Sequence, residues 1–233
     1  MKLTAGLALA MAFAVAARAA EPPVKSIDIY VQPYYESSRT PGGKPQIAVA
    51  GAYDARLASA NAADIARVRD EIAKDNARLT PMTLMVLAIR LYDVGLRDDS
   101  VFWFYAAKNR FATLAGVADV KSPQLAQAED ATRNFALLAG PAINGYAFCD
   151  IESQQKQAAK ALQWTIDNPY AAIFMPQVPA LPGDRKENLD RAIALLKANV
   201  AKEREYLSKP ANVAKMHAQR RDNGTEQKYC WRS

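Results

Sequence analysis

The chain has 233 residues, a formal net charge of +6 at neutral pH and a single histidine. Half of its residues are apolar, and the length suffices for one sizeable core or a short helical array. One histidine excludes zinc sites that need two or more, and no glycine-rich phosphate or dinucleotide loop is present. We therefore predict neither a metal nor a cofactor.

The first 19 residues have the layout of a secretory signal peptide. Lys2 precedes an apolar run from Leu7 to Ala17, and Ala17 and Ala19 form an A-x-A cleavage site. We predict cleavage after Ala19 and a periplasmic or secreted location. The alternative is an N-terminal membrane anchor. Because the run is short of the roughly 20 residues that a span needs, we expect no membrane span after signal removal.

The basic surplus lies in the C-terminal region. Between residues 209 and 233, six basic residues face two acidic ones. A nucleic-acid interface would interleave such charges with stacking aromatics or place them in a known motif, so we expect no nucleic-acid partner. We expect a solvated tail, or a tail that makes weak contact with an acidic partner or an anionic membrane surface.

Cys149 and Cys230 are the two cysteines of the chain. In an oxidising compartment an even count favours a disulfide, and two cysteines allow one pairing. This bond would tether the polar tail, residues 221–233, to the body. The alternative is a pair of unlinked thiols, one of them buried.

Residues 20–60 differ from the rest of the chain and predict an extended or β segment packed on the body. Residues 27–32 alternate apolar and polar side chains with β-branched residues among them, as in a half-buried strand, and Pro33 ends the run. Residues 46–50 can return as a second short strand after a turn that is rich in glycine, serine and proline.

From residue 61 to about residue 220 the apolar spacing is that of helices. We predict a mainly all-α fold, an antiparallel helical array in one domain over residues 61–220. The predicted helices are 61–79, 80–94, 98–112, 122–139, 145–167, 184–209 and 211–220.

Caps and breakers set the boundaries of these helices. The start signals are Thr80-Pro81, Asp98-Asp99, Ser122-Pro123 and the capping box of Asp184 with Glu187. The stop signals are Gly95, Gly140-Pro141, Asn168-Pro169 and Pro210. Residues 175–184 hold three prolines among apolar side chains, which predicts either a loop packed across a helix pair or a recognition segment.

The hairpin over residues 80–112 resembles the tetratricopeptide and Sel1-like helical repeats. Its matching positions are Leu84, Leu87, Ala88, Leu91 and Tyr92 in the first helix, Gly95 at the turn, and Ser100, Phe104 and Ala107 in the second. It departs from these families where Leu84 replaces the usual tryptophan, Ser100 the usual alanine and Ala112 the closing proline. The resemblance implies a groove along the hairpin that holds a peptide or partner protein.

Four consecutive aromatics, Phe102-Trp103-Phe104-Tyr105, point in four directions on a helix, so one buried stripe cannot cover them all. Phe104 is expected to face the partner helix. We take Phe102, Trp103 and Tyr105 as candidate binding residues, because tryptophan and tyrosine dominate binding hot spots. The alternative is burial under a following helix.

Catalytic groups are few. His217 stands in a basic segment, and the nearest acidic residue that follows it is Asp222, so we expect a surface histidine. Paired carboxylates are the remaining route to chemistry, as in glycan-cleaving enzymes. The candidate pairs are Asp98-Asp99, Glu129-Asp130 and Asp150 with Glu152.

These observations predict an exported, non-enzymatic helical protein that binds a protein or peptide partner in the cell envelope, for example an immunity or inhibitor protein. The alternative is an envelope hydrolase that acts on peptidoglycan or glycan through Asp150 and Glu152. No catalytic residue is assigned.

Overall fold

The computed structural model describes residues 23–27 and 53–231. This part of the chain is mostly helical, which confirms the predicted fold class, and it contains no strand beyond an isolated antiparallel bridge between Ala118 and Ala180. The two predicted N-terminal strands lie outside the described residues, apart from Ile27. Among the described helices none is long and apolar enough to cross a membrane.

The helices run antiparallel in sequence order. They are α1 (Asp54–Leu57), α2 (Ala62–Lys74), α3 (Pro81–Asp93), α4 (Arg97–Val117), α5 (Ala126–Ala147), α6 (Ile151–Asp167), a 3-10 turn (Ala171–Phe174), α7 (Arg185–Leu207), α8 (Pro210–Asp222) and α9 (Thr225–Tyr229).

Side-chain caps start α2 and α3. The side chain of Asn61 accepts a hydrogen bond from the amide of Ala63, and that of Thr80 accepts one from the amide of Thr83. Pro81 takes the first helical position, where its missing donor costs nothing, so the predicted Thr80-Pro81 start is confirmed. The predicted apolar stripe of α2 is buried at Ile65, Val68 and Ile72.

The centre of the molecule is α3. Its residues 81–89 are all buried, and so are Leu91 and Tyr92. It packs against α1, α2, α4 and α5, which is the setting that a helix apolar on all sides requires. Gly95, with φ of 88°, makes the turn into α4, as predicted.

The predicted aspartate cap of α4 is wrong. Leu96 occupies the cap position without a side-chain hydrogen bond, and Asp98 and Asp99 stand in the first turn. There their charge still favours the positive end of the helix dipole. Asp99 pairs with Arg69 of α2, so this acidic turn also holds two helices together.

The start of α5 is later than predicted. The Ser122-Pro123 signal does not begin the helix, because Ser122 belongs to a preceding turn in which its amide donates to the carbonyl of Asp119. The first helical residue is Ala126, and its cap position, Leu125, provides no side-chain bond.

The end of α5 is also later than predicted, because Gly140-Pro141 does not break the helix. Pro141 is exposed inside a helix that continues to Ala147. Proline removes the hydrogen bond to the carbonyl of Leu137, and that residue is 68% exposed, on the side where water can replace the donor. The opposite face is anchored by Ala139 and Ile143, which are buried.

The loop over residues 175–184, together with Ile173 just before it, packs against the helices, which confirms the first alternative for this segment. Ile173 and Val178 are buried in a second apolar cluster with residues of α4 and α7. Arg185 fixes the segment by donating to the carbonyls of both residues, at 2.5 and 2.6 Å. Asp184 caps α7 through the amides of Lys186 and Glu187, as predicted.

A buried arginine joins α4 to the ends of α2 and α6. Arg110 is 1% exposed, and its guanidinium donates to the carbonyls of Asn76, Leu79 and Asn168. Its guanidinium carbon lies 4.7 Å from the ring of Trp164. Burial lowers the pKa of Arg110 to about 10, and among the described residues no carboxylate pairs with it. No pattern in the sequence indicated this contact.

Residues 23–27 and the C-terminal residues meet beside the hairpin. The amide of Val24 donates to the carbonyl of Lys228 at 2.9 Å. The carbonyl of Val24 accepts from the Tyr92 hydroxyl at 3.1 Å and from the Trp231 indole at 3.3 Å. Segments from the two ends of the described chain therefore stand against the same end of α3.

Candidate functional site

A cleft of about 460 Å³ opens at the turn end of the α3–α4 hairpin. The hairpin turn at Gly95, the start of α4, the end of α5, the start of α6 and the C-terminal disulfide surround it. The side chains that matter chemically are Arg97, Asp98, Tyr146, Asp150, Gln157 and Trp231. This volume is in the range of sites that hold small molecules or short chain segments.

The predicted disulfide between Cys149 and Cys230 is present, with the two sulfur atoms 1.97 Å apart. It forms one wall of the cleft and holds the C-terminal segment there. Arg220 of α8 is 9% exposed and donates to the carbonyl of Gly145 at 2.7 Å, with its nitrogen also 3.5 and 3.3 Å from the two sulfur atoms. Burial lowers the pKa of Arg220. The disulfide fixes the position of Trp231, which directly follows Cys230.

Arg97 lies against the face of Trp231. Its guanidinium carbon is 3.9 Å from that ring centroid, and it is 5.4 Å from Tyr92 and 6.0 Å from Tyr146. No salt bridge to Arg97 is present in the described part of the chain. Its Nε is buried without a hydrogen-bond partner, and its guanidinium also acts as a hydrogen-bond donor toward the Tyr92 hydroxyl. Stacking on aromatic faces leaves the edge of a guanidinium free to donate.

Two carboxylates share the cleft with Arg97. Asp98 accepts a hydrogen bond from the Tyr146 hydroxyl at 3.0 Å. Burial, together with this bond and the nearby charge of Asp98, raises the pKa of Tyr146 to about 12, so the hydroxyl remains a donor at neutral pH. Asp150 caps α6 by accepting from the amide of Ser153 at 3.0 Å.

Asp150 and Glu152 do not form a common site, so the carboxylate pair on which the hydrolase alternative relied is corrected. Asp150 lines the cleft, whereas Glu152 lines a separate groove of about 250 Å³ with Glu203 and Arg204 of α7. Asp150 is the cap residue of α6 with an extended backbone, whereas Glu152 stands in the first helical turn, and the two side chains line different depressions of the surface.

The aromatic run of α4 is mostly covered. Trp103 is 3% exposed, and its ring lies 5.3 Å from that of Trp164, so the side chain has no free face. Phe102 is half-buried against the same tryptophan, and the Tyr105 hydroxyl accepts from Gln154 at 3.2 Å. Burial raises the pKa of Tyr105 to about 12. Trp103 therefore follows the alternative, burial under a following helix, and that helix is α6. Binding through the partly exposed side chains of Phe102 and Tyr105 stays a prediction.

His217 is half-buried and is paired with a carboxylate. Its Nδ1 is 2.9 Å from Glu226 of α9, a contact that sequence spacing did not indicate. Both cysteines are in the disulfide, so neither can serve as a nucleophile beside it. Within residues 23–27 and 53–231, no group of three or more His, Cys, Asp or Glu side chains is placed to hold a metal ion.

The hairpin positions that match the repeat families form contacts inside the core. Ser100, which replaces the usual alanine, donates to the carbonyl of Ala88 at 2.7 Å and so joins the two helices. Because α3 is enclosed on all sides, neighbouring helices fill the space along it where the implied groove would run. The repeat resemblance itself stays a prediction.

Three cleft residues were absent from the sequence-based candidates, namely Arg97, Tyr146 and Trp231. Partial information about two of them, Tyr146 and Trp231, was present in the sequence. Tyr146 stands three residues before Cys149 and Trp231 directly follows Cys230, so the predicted disulfide already placed these aromatics near each other. Nothing in the sequence placed Arg97 between them, because that contact depends on how the hairpin turn packs against α5.

No protein-family model matches the chain, and no solved structure matches it. An uncharacterized protein of Haemophilus influenzae (strain ATCC 51907 / DSM 11121 / KW20 / Rd) is 32% identical over 209 residues, which cover 90% of this chain and 80% of that protein. The similarity therefore extends over nearly all of the helical body described above.

Proposed function

This chain belongs to the same family as the uncharacterized Haemophilus influenzae protein, and we propose that it is exported and binds a segment of another macromolecule in the cell envelope. A single observation carries the proposal. The Cys149–Cys230 disulfide holds Trp231 against Arg97 and so builds one wall of a cleft at the end of the hairpin.

The disulfide and the N-terminal sequence support the proposed compartment. Disulfides persist in oxidising compartments and are rare in the cytosol. The first 19 residues have the charge, apolar run and small residues of a signal peptide. We therefore place the protein in the periplasm or outside the cell, where an immunity or inhibitor role is a concrete form of the binding function.

The cleft is better suited to holding a ligand than to chemistry. Both of its carboxylates already accept hydrogen bonds within the protein. Asp98 accepts from the Tyr146 hydroxyl, and Asp150 accepts from a main-chain amide as the cap of α6. His217 is bound to Glu226 and does not line the cleft. The lining also contains a stacked guanidinium, the side chains of Tyr146 and Trp231, and amide side chains, which are groups that recognise a partner.

Binding takes place at the turn end of the hairpin in this proposal, and not along it. The flank of α3 is covered by other helices, whereas its turn at Gly95 lines the cleft. A cleft of this size admits a chain segment or a chain end and excludes a folded domain.

The test is chemical cross-linking followed by affinity capture from periplasmic extract. The wild-type protein should retain a specific partner, identified by mass spectrometry, and Trp231→Ala should lose it. Phe174→Ala is the matched control, because this aromatic is 44% exposed at a different place on the molecule. Failure to capture any partner, or equal capture by Trp231→Ala, contradicts the proposal. Detection of the protein in the cytosolic fraction alone contradicts the export.

A second candidate function rests on the meeting of Asp98 and Asp150 in one cleft. Paired carboxylates flanking a bound glycan are the machinery of glycoside hydrolysis. An envelope hydrolase that uses this pair, in place of Asp150 with Glu152, is therefore the alternative, and its test is given in the Discussion.

A further inference from the structure

Arg97 presents the free edge of a guanidinium to the cleft. Its face is covered by Trp231 at 3.9 Å, and within the described chain it has no salt bridge that would satisfy its donors. A guanidinium offers parallel N–H groups that match the two oxygens of a carboxylate, and such bidentate pairs are stronger than neutral hydrogen bonds. This edge can therefore form a bidentate pair with a planar carboxylate.

The rest of the lining accepts hydrogen bonds. Asp98 and Asp150 each receive a donor from the protein, and a carboxylate has acceptor sites for further donors. Gln157 adds an amide that can both donate and accept. Arg97 is the single cation among the lining residues, so the lining has one more negative than positive charge. This net charge opposes a doubly charged phosphate more than a singly charged carboxylate.

A peptide end meets these requirements together. Its terminal carboxylate fits Arg97, and the amide N–H groups of the preceding residues are donors for the aspartates. We propose that the cleft binds the carboxy-terminal end of a peptide, with the terminal carboxylate paired to Arg97. This inference rests on the proposed binding function, for which it names the part of the partner that is recognised. Capture of a terminal carboxylate is a known mode of peptide recognition.

The experiment uses the full protein, immobilised, and an equimolar pool of random-sequence tetrapeptides. The pool is prepared in two forms, as free acids and as C-terminal amides, and retained peptides are quantified by mass spectrometry. The wild-type protein should retain the free acids about tenfold better than the amides, since one charge-assisted contact is lost in the amide form. Arg97→Gln should abolish the difference, and Arg97→Lys should restore part of it, because lysine keeps the charge without the fork of donors.

Arg133→Gln is the matched control, because Arg133 is an exposed arginine of α5 that pairs with Asp130 away from the cleft. It should behave as the wild-type protein. Circular dichroism and thermal unfolding verify that the Arg97 variants are folded. Competition with inorganic phosphate and with acetate is a further test. If phosphate elutes the free-acid peptides at a tenth of the concentration that acetate requires, the cleft is a general phosphate site and the inference is overturned.

Equal retention of acids and amides, or no retention of either, also overturns it. These outcomes are separable from the failure of the proposed function. A partner captured from extract that Trp231→Ala loses, in the absence of any preference for free acids, leaves the binding function standing and removes the terminal carboxylate as its target.

Discussion

The guanidinium of Arg110 donates to Asn76 twice, to the main-chain carbonyl at 2.7 Å and to the side-chain oxygen at 2.8 Å. Through this pair, the middle of α4 holds the loop between α2 and α3. The same guanidinium donates to the carbonyl of Asn168 at the end of α6, so one buried side chain satisfies acceptors from two places in the chain, the α2–α3 loop and the end of α6.

Replacement of Arg110 should destabilise the protein strongly. Arg110→Ala leaves buried carbonyls without donors and opens a cavity beside Trp164, so we expect the free energy of unfolding to fall by roughly 3 kcal/mol. Urea denaturation followed by circular dichroism measures it. Arg133→Ala removes an exposed arginine and should change the free energy by no more than about 0.5 kcal/mol. Equal effects of the two substitutions would show that the Arg110 bonds contribute no net stability.

Gly145 marks a close approach between α5 and α9. A Cβ atom at this position would lie 2.5 Å from two ring atoms of Tyr229. Gly145→Ala should therefore push α9 away and lower the free energy of unfolding by about 1–3 kcal/mol.

Gly140→Ala is the control on the same helix. There the nearest atoms are 3.7 and 3.8 Å away, which is ordinary contact, so the gain in helix propensity should leave this variant neutral or more stable by about 0.5–1 kcal/mol. Thermal unfolding of the two variants compares them. A Gly145→Ala protein as stable as Gly140→Ala would mean that α9 does not pack as described.

Loss of the disulfide should destabilise the chain and disorganise the cleft. The bond joins residues 81 apart, and release of a loop of this length costs roughly 4 kcal/mol in the chain-entropy model. The double variant Cys149→Ala/Cys230→Ala should unfold at lower urea, and its tryptophan fluorescence should change because Trp231 is no longer held against Arg97. Reductant should shift the mobility of the wild-type protein in a denaturing gel and leave the double variant unaffected.

Stability should decrease above pH 10. Burial is the main cause that raises the pKa values of Tyr92, Tyr105 and Tyr146 to about 12 from an ordinary value of 10. Between these limits the folded chain retains protons that the unfolded chain has lost, so the stabilisation is complete below pH 10 and is lost as the pH rises toward 12. The lowered pKa values of Arg110, Arg220 and Lys108, each caused mainly by burial, act in the opposite direction, because the unfolded chain then holds the extra protons.

The pKa of Tyr53 is raised as well, mainly by burial, so four tyrosines act against these three groups and the net result should be alkaline unfolding. Urea denaturation at pH 8 and pH 11, with tyrosinate absorbance as a second readout, measures it. The variant Tyr105→Phe should flatten the dependence on pH, since it removes one of the titrating groups. An unchanged free energy of unfolding between pH 8 and pH 11 would contradict these pKa values.

Asp98 and Asp150 should not support hydrolysis. Because the first accepts from Tyr146 and the second caps α6, we expect purified protein to release no soluble fragments from peptidoglycan. Chromatography of digests detects such fragments. Release that disappears in Asp98→Asn/Asp150→Asn, and persists in Glu152→Gln, would establish the hydrolase alternative and replace the binding proposal.

Helix boundaries were predicted well from the sequence where a cap or turn residue determines the backbone conformation within a few residues of itself. Thr80, Pro81, Gly95 and Asp184 all have the predicted roles, because caps and turns depend on chemistry within a few residues. The helix break predicted at Pro141 is absent, because the cost of an internal proline depends on whether water can reach the carbonyl that it leaves unpaired, which is a property of the packed molecule.

In the cleft as well, some features could be predicted from the sequence and others depend on the packing of distant helices. The disulfide was predicted from count and compartment, and it placed two of the cleft aromatics. Arg97 and Arg110 have no sequence signature, since their partners are carbonyls and ring faces contributed by distant helices. Trp103 was predicted as a candidate binding residue, yet Trp164 covers it. No local sequence pattern indicates that contact.

The enclosure of α3 has a consequence for the order in which the molecule comes apart. An amide proton in this helix can meet solvent only when the helices around it separate, so its exchange rate is set by the opening of the whole assembly. Slowly exchanging amides should therefore concentrate in α3, near Leu87, and not in the longer α7, whose outer turns are exposed. The helix with the fewest contacts to water is thus the natural reporter of the global unfolding equilibrium.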